Sequence, residues 1–366
     1  MDDVRFSRSI WKETTGSTSL QQPIIDSTDI EDRRRKRVDL FVQQNSPINN
    51  ELVRNTALND LYGTYVDGQI KFFPSSVKVR EKNGKRKAVY TLCSLSYSDG
   101  VDLEKINKNG RFKITAYDRR IYNAIGTLWL GGQTLMTPTE IFQVMYGYSK
   151  QNPTAQQLDA IEKSLHKMQN IDVYIDITDE VNAGIISHKQ ALVDAGYLKN
   201  TGDSFRSVQI NGRMLSYTMQ SFKSVQGKEF KSFRIQGEPC LLTYNRAKGT
   251  LISIPMEYIG LSESSSTEKT LAFQDYLLMR IMSYKNGKLK ENKVLYDTLY
   301  RDSGVERPKL SKDFIRDREA IRKLLDEWVK KGLLSGYAEI KEKRSYTGIQ
   351  FFLEERKQME KGSYGQ

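Results

Sequence analysis

Cysteine is scarce in this chain of 366 residues, which has only Cys93 and Cys240. The two lie far apart and in no spacing typical of metal ligands, which argues against a disulfide framework and favours a reducing compartment. Both fall in apolar runs, "VYTLCSL" and "EPCLLTY". We predict that these runs are β-strands and that both thiols are buried structural groups.

Histidine is equally scarce, and no catalytic motif is built on it. His166 and His188 stand without an H-x-H or H-E-x-x-H grouping, so metal sites and rolling-circle nicking sites are disfavoured. His188 is followed by Lys-Gln-Ala, which does not fit the H-x-x-R element of a tyrosine recombinase. The phosphate-binding loop G-x-x-x-x-G-K-[ST] is missing as well. We expect a non-enzymatic protein that needs no metal and no cofactor.

Long apolar runs are also missing. The sequence has no apolar window of about eighteen residues, and its N-terminus, "MDDVRFSRSIWKETT", has no apolar leader region. We expect a cytoplasmic protein that is neither secreted nor membrane-spanning. Hydrophobic residues still make up 38% of the chain, which is enough to form folded cores.

Positive charge is what the chain has in excess. Its 57 Lys and Arg exceed its 45 acidic residues, and the formal net charge is +12. This balance favours an anionic partner, either nucleic acid or an acidic membrane surface; a soluble protein that is merely basic is the alternative. A run of five basic residues, 33–37, lies near the end of a polar segment, 1–40, that we predict to be a disordered, mobile arm. The run either binds phosphates without sequence preference or is simply solvated.

Three helices are predicted in the first half of the chain, after a β-hairpin around Asn83-Gly84. The first helix is "YDRRIYNAIGTLWLGG", in which apolar residues recur at helical spacing. The other two open with capping boxes, one from Thr137 and one from Thr154. The strand "DVYIDIT" follows, and this order is typical of a winged helix. A strand-rich region, 206–254, comes next, with a hairpin turn predicted at Asn211-Gly212.

The same order returns after "LSESSSTEK" (261–269), which we interpret as a linker. Two helices end at Gly287 and Gly304, and "SKDFIRDREAIRKLLDEWVKKG" is the third. A hairpin follows, in which alternation places Ala338 and Ile340 on the apolar face. We therefore predict an α+β fold with two winged-helix domains in tandem, extra β-hairpins and the disordered N-terminal arm. The predicted boundaries are 1–40 for the arm, 41–262 and 263–353 for the two domains, and 354–366 for a polar tail.

A local repeat supports two copies of one module. Residues 160–165 read AIEKSL and residues 320–325 read AIRKLL, so the two third helices match at an offset of 160. The match falls at the same place in two separately delineated three-helix patterns, which makes a chance origin less probable.

The third helices carry their polar residues opposite their apolar faces. At 100° per residue, Phe314, Ile321 and Leu325 lie opposite a basic stripe that Glu319 and Glu327 interrupt. Such a face can enter a major groove, where Arg and Lys meet guanine and Gln meets adenine. A solvated face with ion pairs is the alternative. The candidate DNA-binding residues are, in the first module, Gln156, Lys163 and Lys167; before and on the last helix, Lys309, Lys312, Arg316 and Lys323; and at the hairpin tip, Lys341, Lys343 and Arg344.

With this module order, the chain resembles plasmid replication initiator proteins that are built from two winged-helix domains. The resemblance is carried by "ITAYDRRIYNAIGTLW", by "PTAQQLDAIEKSLHKMQNIDVYIDIT" and by the second module from about 270 to 353. It implies that both third helices lie in major grooves of directly repeated origin sequences. It further implies that the protein opens adjacent A+T-rich DNA, recruits a host replicative helicase or initiator, and forms a homodimer.

Two other functions remain open at this point. A winged-helix transcriptional or partition regulator would show the same modules and the same basic faces. A DNA-nicking enzyme that uses a tyrosine belongs to a different class, and the missing histidine pair speaks against it.

Overall fold

A computed structural model of the chain describes residues 38–46, 48–50, 52, 63–66, 69–72, 77–80, 86–98, 114–202, 204–223, 225, 229–260, 267–343 and 345–353. Four predicted features lie outside these residues: the N-terminal arm up to residue 37, the Asn83-Gly84 turn, the linker residues 261–266 and the tail 354–366. Helices and strands are mixed along the described chain, as an α+β fold requires.

Ten helices lie wholly within the described residues. They are α1 (Ala116–Leu130), α2 (Pro138–Met145), α3 (Ala155–Gln169), α4 (Thr178–Asn182), α5 (Gln190–Asp194), α6 (Cys240–Lys248), α7 (Met256–Ile259), α8 (Glu268–Lys285), α9 (Tyr296–Ser303) and α10 (Ser311–Lys330).

Fifteen strands are described. They are β1 (Leu40–Gln44), β2 (Gly63–Val66), β3 (Gln69–Phe72), β4 (Val77–Arg80), β5 (Arg86–Val89), β6 (Leu92–Tyr97), β7 (Leu135–Met136), β8 (Ile171–Asp176), β9 (Gln209–Arg213), β10 (Tyr217–Lys223), β11 (Glu229–Ile235), β12 (Leu251–Pro255), β13 (Lys293–Leu295), β14 (Gly336–Glu342) and β15 (Ser345–Phe352). The predicted hairpin around Asn83-Gly84 is consistent with the antiparallel pairing of β4 with β5.

Threonine caps define the starts of the first three helices. Thr137 and Thr154 form the two predicted capping boxes, with Glu140 and Gln157 as their partners. A third box, at Thr115, starts α1. Each cap satisfies backbone N–H groups that the helix itself leaves without partners, and is worth about 1 kcal/mol.

Helices α1, α2 and α3, together with β7, β10 and β11, make up what we call the first helical unit. β7 joins α1 to α2, and the antiparallel sheet has the order β10-β11-β7. The second helical unit contains α8, β13, α9, α10, β14 and β15, and its sheet has the equivalent order β14-β15-β13. Close approach of β13 to β15 needs a glycine at 348, because an added Cβ would lie 2.7 Å from the carbonyl oxygen of Val294.

The apolar faces of the two third helices form corresponding parts of the core. Ile161, Leu165 and Met168 of α3 are all fully buried. So are the residues that lie 160 positions later in α10, which are Ile321, Leu325 and Trp328. The offset seen in the sequence is thus an equivalence of packing positions.

One segment distinguishes the first unit from the second. β8 directly follows α3 but belongs to a separate five-stranded sheet of order β2-β3-β6-β8-β9. The predicted Asn211-Gly212 turn is wrong, because both residues lie within β9 and pair with Tyr174 and Val173. Burial of Ile210 on this sheet outweighs the local turn preference of Asn-Gly. The hairpin that corresponds to β14–β15 is β10–β11 instead.

Two further predictions need correction. Cys240 lies at the start of α6, not in a strand, although both cysteines are buried as expected. In β14 the inward residues are Tyr337 and Glu339, which pair with the inward residues of β15, while Ala338 is exposed. The inward carboxylate is tolerated because an arginine of α10 meets it, as described below.

None of the described helices is both long enough and apolar enough to cross a membrane.

Candidate nucleic-acid interface

The outward face of α10 is strongly basic. We define this face by the exposed residues of the helix after Ser311, which are Lys312, Ile315, Arg316, Glu319, Arg322, Lys323, Asp326 and Lys330. Five of them are basic and two are acidic. The opposite side of the helix is buried in the second unit, so the charge is presented to solvent.

The structure places the four candidates of this region on the surface. Lys312, Arg316 and Lys323 belong to the outward face of α10, and Lys309 is exposed in the loop before the helix. The Arg316 side chain is 77% exposed, and its contact with Asp313 is long, at 3.6 Å between Nη1 and Oδ1. An exposed pair of this kind is worth little. The guanidinium is therefore available to another acceptor.

The outward face of α3 is nearly neutral by comparison. Gln156 is exposed, and Lys163 is exposed but pairs with Asp159 one turn earlier, at 2.7 Å. Lys167 does not lie on the outward face as predicted. Its Nζ lies 2.6 Å from the carboxylate of Asp118, which is part of the capping box at the start of α1. Because the side chain turns toward α1, it is only 27% exposed.

The β14–β15 tip carries the remaining candidates. Lys341 is exposed, with its Nζ 4.9 Å from the ring centre of Tyr346. Lys343 is exposed in the turn and has a left-handed backbone, with φ of 54°. Arg344 lies outside the described residues. Cations at such a tip are suited to phosphate rather than to base edges.

A nearly buried arginine joins α10 to this hairpin. Arg318 donates from Nε to Oε1 of Glu339 at 2.9 Å and from Nη2 to Oε2 at 2.7 Å. Its guanidinium also stacks on Tyr346, 3.3 Å from the ring centre, and Tyr296 donates to the same carboxylate. Burial alone would raise the pKa of Glu339, but the hydrogen bonds from Arg318 and Tyr296 outweigh it and hold that pKa below its usual value.

In each unit, a tyrosine of the first hairpin strand ties the third helix to the hairpin. In the first unit, the hydroxyl of Tyr217 in β10 lies 3.0 Å from Nδ1 of His166 in α3. In the second, the hydroxyl of Tyr337 in β14 donates to Asp326 in α10 at 2.7 Å. His166 and Asp326 are related by the offset of 160. The two units therefore hold the helix and the hairpin together at the same point.

Sequence reasoning missed three features of these surfaces. Arg322 belongs to the outward face of α10, and its place there follows from helical spacing. Ile315 is 50% exposed on the same face, and the equivalent residue of α3, Ala155, is exposed too. The β10–β11 hairpin was missed because the Asn-Gly signal pointed to a turn elsewhere.

No group of three or more potential metal ligands occurs in the part of the chain that the structure describes.

No protein-family model matches the chain, and no curated protein matches it. Among solved structures, the chain is similar to domains 2 and 3 of RctB in a selenomethionine crystal structure, with 14% identity and a TM-score of 0.41. That match covers 84% of this chain and 97% of the other. A second structure of RctB domains 2-3 gives 11% identity and a TM-score of 0.36, covering 77% and 92% of the two chains.

Proposed function

We propose that the protein binds double-stranded DNA in a sequence-specific manner through two winged-helix modules and initiates replication at a repeated origin sequence. The supporting observation is the duplicated unit, in which a third helix with an outward polar face is tied to a hairpin. In a winged helix, that helix enters the major groove while the hairpin contacts the backbone.

The two modules contribute unequally in this proposal. The outward face of α10 carries an excess of cations, which favours contact with guanine edges and phosphates. On α3, Lys163 is paired and Lys167 contacts α1, so Gln156 is the main candidate for base contact there. We expect the second module to supply most of the electrostatic affinity.

The role in replication rests on the resemblance of the two-module sequence to plasmid initiators. Binding of repeated sites, opening of adjacent DNA, recruitment of a host helicase or initiator, a homodimer and a cytoplasmic location all belong to this proposal. So does the lack of enzymatic activity. Incubation with supercoiled or single-stranded DNA and a divalent ion should give neither nicks nor covalent adducts.

DNA selection tests the binding mode directly. Duplexes are selected from a random pool with the intact protein, and affinity is compared for a selected and a random duplex. Arg316→Ala should lower this discrimination by about 1–3 kcal/mol, as expected for loss of a bidentate base contact. Lys343→Ala should weaken binding to both duplexes and reduce the salt slope by about one.

Lys330→Ala is the matched control, because it removes the same charge from the exposed C-terminal end of the same helix. It should leave discrimination unchanged. If all three variants lose the same affinity on both duplexes, α10 does not read bases.

A genetic experiment separates an initiator from a regulator. A plasmid that carries the gene and its flanking repeats should fail to replicate when the gene is deleted and recover when it is supplied in trans. Normal replication without the gene would leave only the regulator.

A further inference from the structure

A buried ion pair links the two helical units. Arg120 of α1 contacts Asp275 of α8 through Nη1 and Oδ1, and both side chains are 1% exposed. The same guanidinium donates from Nε and Nη2 to the carbonyl oxygen of Met145, at 2.9 and 2.7 Å. It lies 4.8 Å from the ring centre of Phe41 in β1. One arginine therefore gathers α1, α2, β1 and α8.

Additional polar contacts cross the same region. Gln43 of β1 donates to the carbonyl oxygen of Asp275 at 3.0 Å, and Gln274 donates to that of Ile259 at 2.8 Å. At the end of α10, the indole N–H of Trp328 donates to the carbonyl oxygen of Tyr258 at 3.0 Å. The third helix of the second unit is thus attached to the chain that leaves the first.

Stability alone is a poor explanation for this ion pair. Removing two charges from water costs free energy that their mutual attraction often fails to recover. Apolar residues of similar volume frequently give the folded protein the same stability. Oδ2 of Asp275 is buried and has no hydrogen-bond partner among the described residues, so the pair is not optimised for stability. What a planar, multiply bonded guanidinium does supply is a defined direction of contact.

We propose that Arg120 and Asp275 are positioning residues that fix the distance and angle between α3 and α10, so that the protein accepts only one spacing between two DNA half-sites. This inference rests on the proposed DNA-binding function. The effect of the two residues on the arrangement of α3 and α10 does not depend on that function, since the arrangement can be measured without DNA.

The DNA-free test measures the distance between spin labels at Lys163→Cys and Lys323→Cys, which are exposed on α3 and α10. Cys93 and Cys240 are buried and should remain unlabelled. We expect a narrow distance distribution that Arg120→Met broadens about twofold, because loss of the ion pair lets the two units adopt a wider range of relative positions. The double variant Arg120→Met/Asp275→Leu removes both members of the ion pair and leaves neither charge buried without the other. It should therefore fold even where the single variant does not, and it should broaden the distribution as well.

The DNA test varies the spacing within a selected duplex. Insertion of two base pairs rotates the half-sites by about 70° and should weaken binding of the native protein about tenfold or more. In Arg120→Met and in the double variant, the penalty should fall to about threefold or less, because the two units can then adapt to the new spacing. Lys248→Met is the control, since it breaks a different buried pair, with Glu180, that does not join the two units. It should retain the full penalty.

The outcomes distinguish the two proposals. An unchanged distance distribution and an unchanged spacing penalty in the double variant would overturn the positioning role. A broadened distribution without any selected DNA sequence would contradict the proposed function and leave the positioning role intact.

Discussion

Replacing Arg318 with methionine should loosen the β14–β15 hairpin without unfolding the rest of the protein. The variant keeps most of the aliphatic volume of the side chain but removes both hydrogen bonds to Glu339 and the stacking on Tyr346. Glu339 would then retain only the hydrogen bond from Tyr296. A carboxylate that is largely removed from water and has lost most of its hydrogen bonds destabilises the packing of the hairpin against α10.

The size of the effect follows from the exposure of the pair. Exposed ion pairs are worth at most about 1 kcal/mol, whereas removal of one partner from a fully buried pair costs about 3–5 kcal/mol. Arg318 and Glu339 are 10% and 14% exposed, so their pair lies nearer the buried case. We expect a loss of about 2–3 kcal/mol, which corresponds to about 30- to 150-fold faster amide hydrogen exchange in the hairpin.

Hydrogen exchange followed by mass spectrometry measures this loss in a peptide that covers residues 336–352. Arg316→Met is the matched control, because it removes the same charge from the same helix where the side chain is 77% exposed. It should change exchange in the hairpin by less than about twofold. Equal effects of the two variants, or a change below about threefold for Arg318→Met, would refute the reasoning.

Three further outcomes are expected. Ile315→Ala should weaken binding to a selected duplex that contains thymine, since an exposed apolar side chain in a major groove contacts the thymine methyl group. With deoxyuridine in place of thymidine, the native protein and the variant should bind the duplex equally. An equal loss of affinity on both duplexes would contradict that contact. Neither Cys93 nor Cys240 should react with a thiol reagent at pH 8 before the protein unfolds, because burial raises the pKa of both thiols. The pKa of Cys240 is raised to about 12. Rapid labelling of the native protein would disprove this prediction. Because the pKa of Glu339 is lowered in the folded state, its contribution to stability is present above the unfolded carboxyl pKa of about 4.3 and is lost as the pH falls through the folded value. Hairpin exchange should therefore accelerate in acid, and Glu339→Gln should reduce this dependence; an unaltered acid response would exclude Glu339 as its source.

The helices of both units could be predicted because their signals are local. Capping boxes such as that of Thr154, and apolar residues at helical spacing, specify a helix without reference to the rest of the chain. The exposed basic face of α10 followed from the same spacing. The apolar spacing of the third helices, with the match between residues 160–165 and 320–325, recurs at an offset of 160 and indicated two copies of one module.

What the sequence did not reveal depends on contacts between distant residues. Glu339 faces inward only because Arg318 meets it, and Lys167 turns from solvent only because Asp118 lies beside it. Neither partnership appears in the periodicity of one element. The strand that contains Asn211 likewise exists because β8 is available to pair with it.

The segment inserted into the first unit has a consequence for the order of folding. In the second unit only residues 331–335 separate α10 from its hairpin, whereas residues 170–216 separate α3 from β10. Closing the longer loop costs more conformational entropy, and contacts between distant residues form slowly. We expect the second unit, although synthesised after the first, to complete its helix–hairpin pairing quickly. In the first unit, α3 can pack against its hairpin only after the ribosome has synthesised β11. Until then the surface of α3 that will be buried remains accessible to chaperones.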